Sequence, residues 1–218
     1  MKKIIAITIF FSVVFARYSA VYAQDNFYVE EKRTFIGGLV AGGNFTQVDG
    51  DDFRGYAKIG ANFGGIVYAQ IDEGFALSME ILYSQKGSRS KTGIEAEPGL
   101  FITNYRIELN YAEVPIMINY FFKRKSGFGA GFSYSQLASS NEVLETNPPK
   151  TYNLEQYPFH KVDINFLLGG NIHLHGGLFL NLRFQYSMIP VRHKVPEVYF
   201  RGEEYNNLFA LRLMYLFK

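Results

Sequence analysis

The run LNLRFQYSM, Leu180 to Met188, alternates without a fault. Leu180, Leu182, Phe184, Tyr186 and Met188 are large and apolar, whereas Asn181, Arg183, Gln185 and Ser187 are polar. A period of two belongs to a β-strand with two unlike faces. The run alone does not say which face meets water. The arginine makes the choice consequential, because a charge buried without a partner is very costly.

The other extended stretches decide it. In 161–174, Val162, Ile164, Phe166, Leu168, Ile172 and Leu174 oppose Asp163, Asn165, Leu167, Gly169, Asn171 and His173. In 75–87, Phe75, Leu77, Met79, Ile81 and Tyr83 oppose Ala76, Ser78, Glu80, Leu82 and Ser84. In the last stretch, Phe209, Leu211, Leu213, Tyr215 and Phe217 oppose Leu208, Ala210, Arg212, Met214 and Leu216. A bulky uncharged face recurs against one of small and polar residues with occasional full charges. A soluble barrel needs a charged exterior, which this polar face is too small and too poor in Lys and Glu to supply. It suits the lining of a narrow barrel whose bulky face meets lipid. A closed barrel also pairs every backbone group, as lipid demands. Asn181, Arg183 and Gln185 then point inward.

Eight such stretches lie near 34–47, 56–71, 75–87, 102–122, 127–137, 161–174, 178–190 and 205–217. Short links (Asp72-Glu73-Gly74, Lys123 to Ser126, His175-Gly176-Gly177) alternate with long polar ones (Val48–Gly55, Gly87–Phe101, Ala138–His160, Val191–Glu204). Gly and Asp in the short links supply hairpin-turn conformations. The expected fold is all-β, an eight-stranded antiparallel up-and-down transmembrane β-barrel with both termini at the short-turn end. In the fourth stretch Tyr105, Ile107, Leu109 and Tyr111 share one parity, and Val114, Ile116, Ile118, Tyr120 and Phe122 the other. A bulge near Ala112-Glu113 is the expected reconciliation. That stretch exceeds the 9–11 residues a tilted strand needs to cross, so its upper half is expected to stand above the membrane.

Lys2 and Lys3, the apolar run Ile4 to Ala16, and Val21-Tyr22-Ala23 read as a cleaved signal peptide over 1–23. A short periplasmic segment, 24–33, precedes a barrel domain over 34–218. Removing the signal lowers the formal net charge from +2 to −1, and no basic patch interleaved with stacking aromatics suggests nucleic acid. Cys is absent, so disulfides and thiolate metal sites are too.

Inward parity places Glu80, Arg183 and Arg212 at one depth, about six residues above the periplasmic ends, and Glu113 about nine up. Charges at mid-depth in a low-dielectric lumen call for partners, so an ionic cluster of Glu80, Glu113, Arg183 and Arg212 is expected. It reads as a structural plug of a narrow barrel, against the alternatives of a proton or ion path or an acid/base pair. Other chemistry is thin. His173 and His175 lack a third metal ligand. Asp49-Gly50-Asp51-Asp52 opens like a calcium loop but has Arg54 and Gly60 where Gly and a bidentate Glu belong, and reads as a solvated loop tip. Gly37-Gly38, Gly42-Gly43 and Gly64-Gly65 precede no helix and read as aids to sheet curvature. No catalytic residue, metal or cofactor is expected.

The runs GGLVAGGNFTQVDGDD (37–52), SMEILYSQKGSRS (78–90), NYAEVPIMINYFF (110–122) and GFGAGFSYSQL (127–137) resemble the PorT-like outer-membrane β-barrel family. The E-[IL]-L-Y-S-Q-K-G and Y-x-E-[IV]-P runs carry most of the resemblance, and Glu80 and Glu113 match the family's two glutamates. The resemblance implies an eight-stranded barrel in a Gram-negative outer membrane; the family's namesake is tied to a protein-secretion system. Lys218 departs from an aromatic C-terminus, although Phe217 precedes it. The expected role is structural or interactive, without enzymatic activity, in a monomeric barrel contacting outer-membrane lipid and other envelope proteins through Gly87–Phe101 and Ala138–His160. Alternatives are an accessory part of a secretion machine, a lipid-acting barrel enzyme, or a narrow channel.

Overall fold

The computed structural model describes residues 35–217 except 52, 54, 91–93, 123–125 and 195–201. The expected signal peptide, the segment 24–33 and Lys218 lie outside the described residues.

Nine strands follow in order: β1 (Phe35–Asp49), β2 (Lys58–Asp72), β3 (Phe75–Ser90), β4 (Ile94–Glu97), β5 (Leu100–Phe121), β6 (Gly127–Asn147), β7 (Val162–His175), β8 (Leu178–Ser187) and β9 (Tyr205–Leu216). A single 3-10 turn, Leu154–Gln156, is the only helical piece among the described residues. Eight strands form an antiparallel ring in chain order. β4 stands aside, paired only with the start of β5, while β3 passes directly to β5 and β9 closes onto β1. Close strand approach makes some interior glycines obligatory: a Cβ on Gly42 would lie 2.2 Å from the Leu211 carbonyl oxygen, and one on Gly131 2.1 Å from that of Ile116.

The faces fall as the alternation requires. Asn181, Arg183, Gln185 and Ser187 are buried in the lumen, while Leu182 is exposed and Leu180, Phe184 and Tyr186 are half-buried on the outside. Phe75, Leu77, Met79, Ile81, Ile116, Ile118, Leu168, Leu211 and Leu213 are exposed outward around the ring. Rings cluster at both rims of this apolar band. Phe75, Tyr120, Phe122 and Phe128 pack at the short-turn end, and Phe63 with Tyr83 and Phe184 with Phe209 toward the other. Two such girdles bracket the hydrocarbon layer of a membrane barrel.

The expected bulge near Ala112-Glu113 is not there. β5 keeps one phase from Tyr105 to Phe121, and its register against β3 runs unbroken through Glu113. Tyr105, Ile107, Leu109 and Tyr111 therefore face inward, with exposures of 0 %. What changes at residue 112 is the environment. Below it lipid lies outside and the lumen is polar; above it water lies outside and the interior is apolar. The irregularities fall elsewhere: one residue, Ala138, is skipped on β6 opposite Asn110/Tyr111, and another register shift lies between Ile102 and Asn104.

Two of the expected long links are partly strand: 87–90, 94–97 and 100–101 within Gly87–Phe101, and 138–147 within Ala138–His160. β3, β5 and β6 run for 16, 22 and 21 residues, against 10 for β8. With about 9–11 residues needed to cross, these three strands continue as a sheet on the outer side, with β4 added at its tip.

Candidate functional site

The lumen is built in layers. At the periplasmic end Phe179, Met214 and Leu216 are almost wholly buried, Tyr68 packs edge-on to Phe121, and the Tyr68 hydroxyl lies 3.6 Å from Met214 Sδ. This closes the floor with apolar groups.

Above it lies an ionic layer. Arg183 on β8 makes a two-point contact with Glu80 on β3: Nη1 donates to Oε2 at 3.2 Å and Nη2 to Oε1. Arg212 on β9 donates from Nη1 to the same Oε2 at 2.9 Å, and from Nε and Nη2 to Asn181 Oδ1 at 2.9 and 2.6 Å. Glu80, Arg183 and Arg212 are each at most 3 % exposed. One carboxylate bridges two guanidiniums, leaving this layer one positive charge in excess. Arg183 Nε, also buried, has no hydrogen-bond partner among the described residues.

Glu113 does not join that layer. It lies one layer higher, where Oε1 accepts from Gln185 Nε2 at 2.9 Å and Oε2 lies 3.4 Å from Lys86 Nζ. Lys86 Nζ also reaches Asp163 Oδ2 at 3.2 Å and Asn165 Oδ1 at 3.1 Å. Asp163 Oδ2 accepts from Asn206 Nδ2 at 3.0 Å. This upper layer sets one ammonium against two carboxylates and carries one negative charge in excess, complementing the layer below. The expected four-residue cluster is thus two clusters, and Lys86 and Asp163 belong to the second. Both share the inward parity of Glu80 and Asn165, which was the available signal.

An apolar cap closes the outer end. Phe53, Ile102, Tyr105, Ile107, Leu109, Tyr111, Leu137, Phe159 and Val191 form a buried cluster. Phe53 stacks on Tyr105 with ring centres 4.3 Å apart. Arg192 fastens the cap. It donates to Glu204 through Nε and Nη2 (3.1 and 2.8 Å) and to Glu142 through Nη1 and Nη2 (2.6 and 3.2 Å), and its guanidinium lies 4.0 Å from the Phe159 ring centre. Burial alone would lower the Arg192 pKa. The bonds and charges of Glu142 and Glu204 outweigh that and hold it above the usual arginine value.

The lesser candidates have structural employment. His173 Nε2 lies 2.8 Å from the Gly176 carbonyl oxygen and its ring packs on Phe179, closing the turn, while His175 is exposed. Asp51 is buried rather than on a solvated tip, and its Oδ1 accepts from the Phe53 backbone N–H at 2.9 Å, turning Phe53 into the cap. Asp49 accepts from Gln47 and Asn207, and Asp52 lies outside the described residues. No group of three or more metal-ligating side chains forms among the described residues.

Outside the barrel, on the projecting sheet, Arg89 and Arg106 stand directly opposite each other on β3 and β5. They line a shallow polar groove of about 480 Å³ together with Thr103, Asn104 and Val143. Sequence reading did not single it out, because the pairing register brings the two arginines together.

Residues 15–192 match the family model described as outer membrane protein beta-barrel domain, and the chain belongs to that family. It is a protein of the Gram-negative outer membrane. No curated protein sequence matches it. Among solved structures it is similar to Ail, the attachment invasion locus protein of Yersinia pestis (11 % identity, 85 % of this chain and 100 % of that one, TM-score 0.43). It is also similar to neisserial surface protein A (8 %, 85 % and 98 %, 0.45) and to OprG from Pseudomonas aeruginosa (9 %, 84 % and 94 %, 0.40).

Proposed function

We propose that this outer-membrane barrel conducts nothing and catalyses nothing, and serves as a rigid mount for an external sheet that binds another component of the cell envelope. The observation that carries this reading is the use of the interior charges. Glu80, Glu113, Lys86, Asp163, Arg183 and Arg212 are spent on one another, between an apolar floor and an apolar cap. A permeation path needs exchangeable water and ion sites, and a catalyst needs polar groups that reach a substrate. These charges are walled off from both ends. What the fold leaves presented is the outward polar surface of β3, β4, β5 and β6, held by continuous strand pairing.

A second reading keeps the same mount and names its employer. The E-I-L-Y-S-Q-K-G run at 80–87 and the Y-A-E-V-P run at 111–115 resemble the PorT-like family, which favours an accessory part of a secretion system. Two measurements test the proposal. The purified protein in planar bilayers is expected to show no conductance steps. Crosslinking on intact cells, followed by purification, is expected to recover an envelope protein joined to β4–β6. Steady single-channel currents from the wild-type protein would overturn the mount reading. Recovered secretion components, with cargo left in the periplasm after deletion, would establish the second reading over a purely passive scaffold.

A further inference from the structure

We propose that Arg89 and Arg106 form a clamp for the phosphate groups on the saccharide core of outer-leaflet lipopolysaccharide. The proposal rests on the reading of the projecting sheet as a contact surface, but names a lipid glycan rather than a protein.

Arg89 on β3 and Arg106 on β5 are register partners, and both side chains are on the outward, solvent-exposed face. Side chains directly opposite on an antiparallel pair start about 4.5–5.5 Å apart, and like charges there repel. Two acids lie nearby, and neither resolves this. Glu108 is ion-paired to Arg106 Nη2. Glu145 accepts from Asn104 Nδ2 at 3.1 Å. Arg89 has no carboxylate partner among the described residues. The groove between the arginines is lined by two guanidiniums, a hydroxyl, an amide and a methyl-bearing side chain, with no carboxylate in the lining. Arg89 and Arg106 line the same shallow polar groove, with Arg106 Nη2 on Glu108 and the rest of the donors open to a tetrahedral oxyanion, which can accept from both side chains.

Height selects the source of the anion. Tyr83, packed on Phe63, marks the outer rim of the apolar band on β3, and its hydroxyl donates to Asn110 Oδ1 at 3.1 Å. Arg89 lies six residues further along the strand. At about 3.3 Å per residue and a tilt of about 40°, that is on the order of 15 Å above the hydrocarbon. A phospholipid headgroup layer is only about 5–8 Å deep. Phospholipid phosphates therefore stop short of the clamp, and only a lipid with a tall phosphorylated headgroup reaches it. Free phosphate is the other possible source of the same chemistry.

The test uses the full chain extracted from outer membranes and reconstituted in phosphatidylcholine vesicles. Three probes are titrated: rough-type lipopolysaccharide, the same lipid after chemical dephosphorylation, and inorganic phosphate. Wild type is expected to bind the phosphorylated lipid at least about tenfold more tightly than the dephosphorylated one. Arg89→Gln with Arg106→Gln is expected to remove that difference, while Arg89→Lys with Arg106→Lys, which keeps charge but not the fork, retains part of it. Lys161→Gln, an exposed cation elsewhere, is expected to change nothing. Unshifted gel mobility before and after heating shows that the variants fold. If the double variant does not fold, Arg89→Gln alone carries the test, since Arg89 holds no ion pair among the described residues. Equal binding of both lipids, or a double variant that binds like wild type, overturns the proposal. Inorganic phosphate binding as tightly as the phosphorylated lipid overturns the lipid assignment. Loss of lipid discrimination with protein crosslinks intact separates this site from the mount reading.

Discussion

Glu80 and Arg183 make two points of contact with each other, yet removing them should have unequal consequences. Glu80→Gln keeps the size of the side chain and one acceptor oxygen. It leaves Arg183 and Arg212 at one depth without their shared carboxylate, and the layer goes from one positive charge to two. Breaking a buried pair by removing one partner costs about 3–5 kcal/mol, and the retained amide oxygen places this change near the lower figure. Arg183→Met instead leaves the layer neutral, with Glu80 set against Arg212 alone. Arg212 Nη1 still holds Glu80 Oε2 at 2.9 Å, so the carboxylate stays paired through that oxygen, while Oε1 loses the donor Arg183 Nη2. Arg183 Nε is buried without a hydrogen-bond partner, so its penalty of about 1–3 kcal/mol is exchanged for the similar one of the orphaned Oε1. Methionine retains most of the packing volume of the stem. The net cost of Arg183→Met should be about 1 kcal/mol or less, and the two variants should differ by at least about 2 kcal/mol. The chain has no tryptophan, so the assay is urea-dependent folding into phospholipid vesicles read by the gel mobility of the folded barrel. With a slope of about 2 kcal/mol per molar urea, the midpoints should lie about 1 M apart. A loss for Arg183→Met equal to that for Glu80→Gln would refute the bridging role given to Glu80 and the cost assigned to the orphaned Nε.

Three further outcomes follow from the other layers. Lys86→Met removes the cation shared by Glu113 and Asp163 and should cost about 3–5 kcal/mol; adding Asp163→Asn to the same chain should recover at least 1 kcal/mol of that in the same urea titration. Arg192→Ala takes the guanidinium away from Glu142, Glu204 and the Phe159 ring, so protease cleavage in 148–161 on intact cells should rise at least about tenfold, with the urea midpoint of the membrane-embedded half moving little. Leu109→Asn puts an amide into the apolar cap and should cost about 2–5 kcal/mol, whereas Asn110→Leu, one residue on and facing outward, gives up its part-exposed bonds to Tyr83 and Ser139 and should cost about 1 kcal/mol; equal costs would restore the bulge that the alternation of β5 suggested.

The fold was legible because lipid inverts the usual rule, and inversion leaves a mark in every strand. Within the apolar band Leu182, Phe184, Ile81 and Leu211 share parity with no charged residue, and only a barrel in hydrocarbon tolerates that all the way round. The same logic placed Glu80, Arg183 and Arg212 inward at one depth. It failed at Tyr105–Tyr111, and the reason is physical. Periodicity reports which face is apolar, not whether apolar means inside or outside. The solvent changes from lipid to water along β5, so one uninterrupted strand shows two opposite patterns, and a bulge is the wrong repair. Lys86 lies at the same boundary, where parity turns it inward but gives no sign that Glu113 and Asp163 meet it there. The cap was out of reach for another reason. Phe53, Phe159, Val191 and Arg192 lie in connections without period, and only the folded chain brings them over β5.

The runs that resemble the PorT-like family now have a physical content. The E-I-L-Y-S-Q-K-G run, 80–87, turns Glu80, Leu82, Ser84 and Lys86 into the lumen. The Y-A-E-V-P run, 111–115, turns Tyr111, Glu113 and Pro115 inward. Lys86 of the first run lies 3.4 Å from Glu113 of the second, and its Nζ lies 4.8 Å from the centre of the Tyr111 ring. The residues that carry the resemblance are thus the two halves of one interior contact between adjacent strands. They specify how β3 and β5 lock together in a narrow polar lumen, a requirement of the barrel itself. A resemblance resting on them identifies a way of building the barrel. On the proposed reading, what the barrel carries depends on outward-facing residues such as Arg89 and Arg106, where a change of function requires no change of fold.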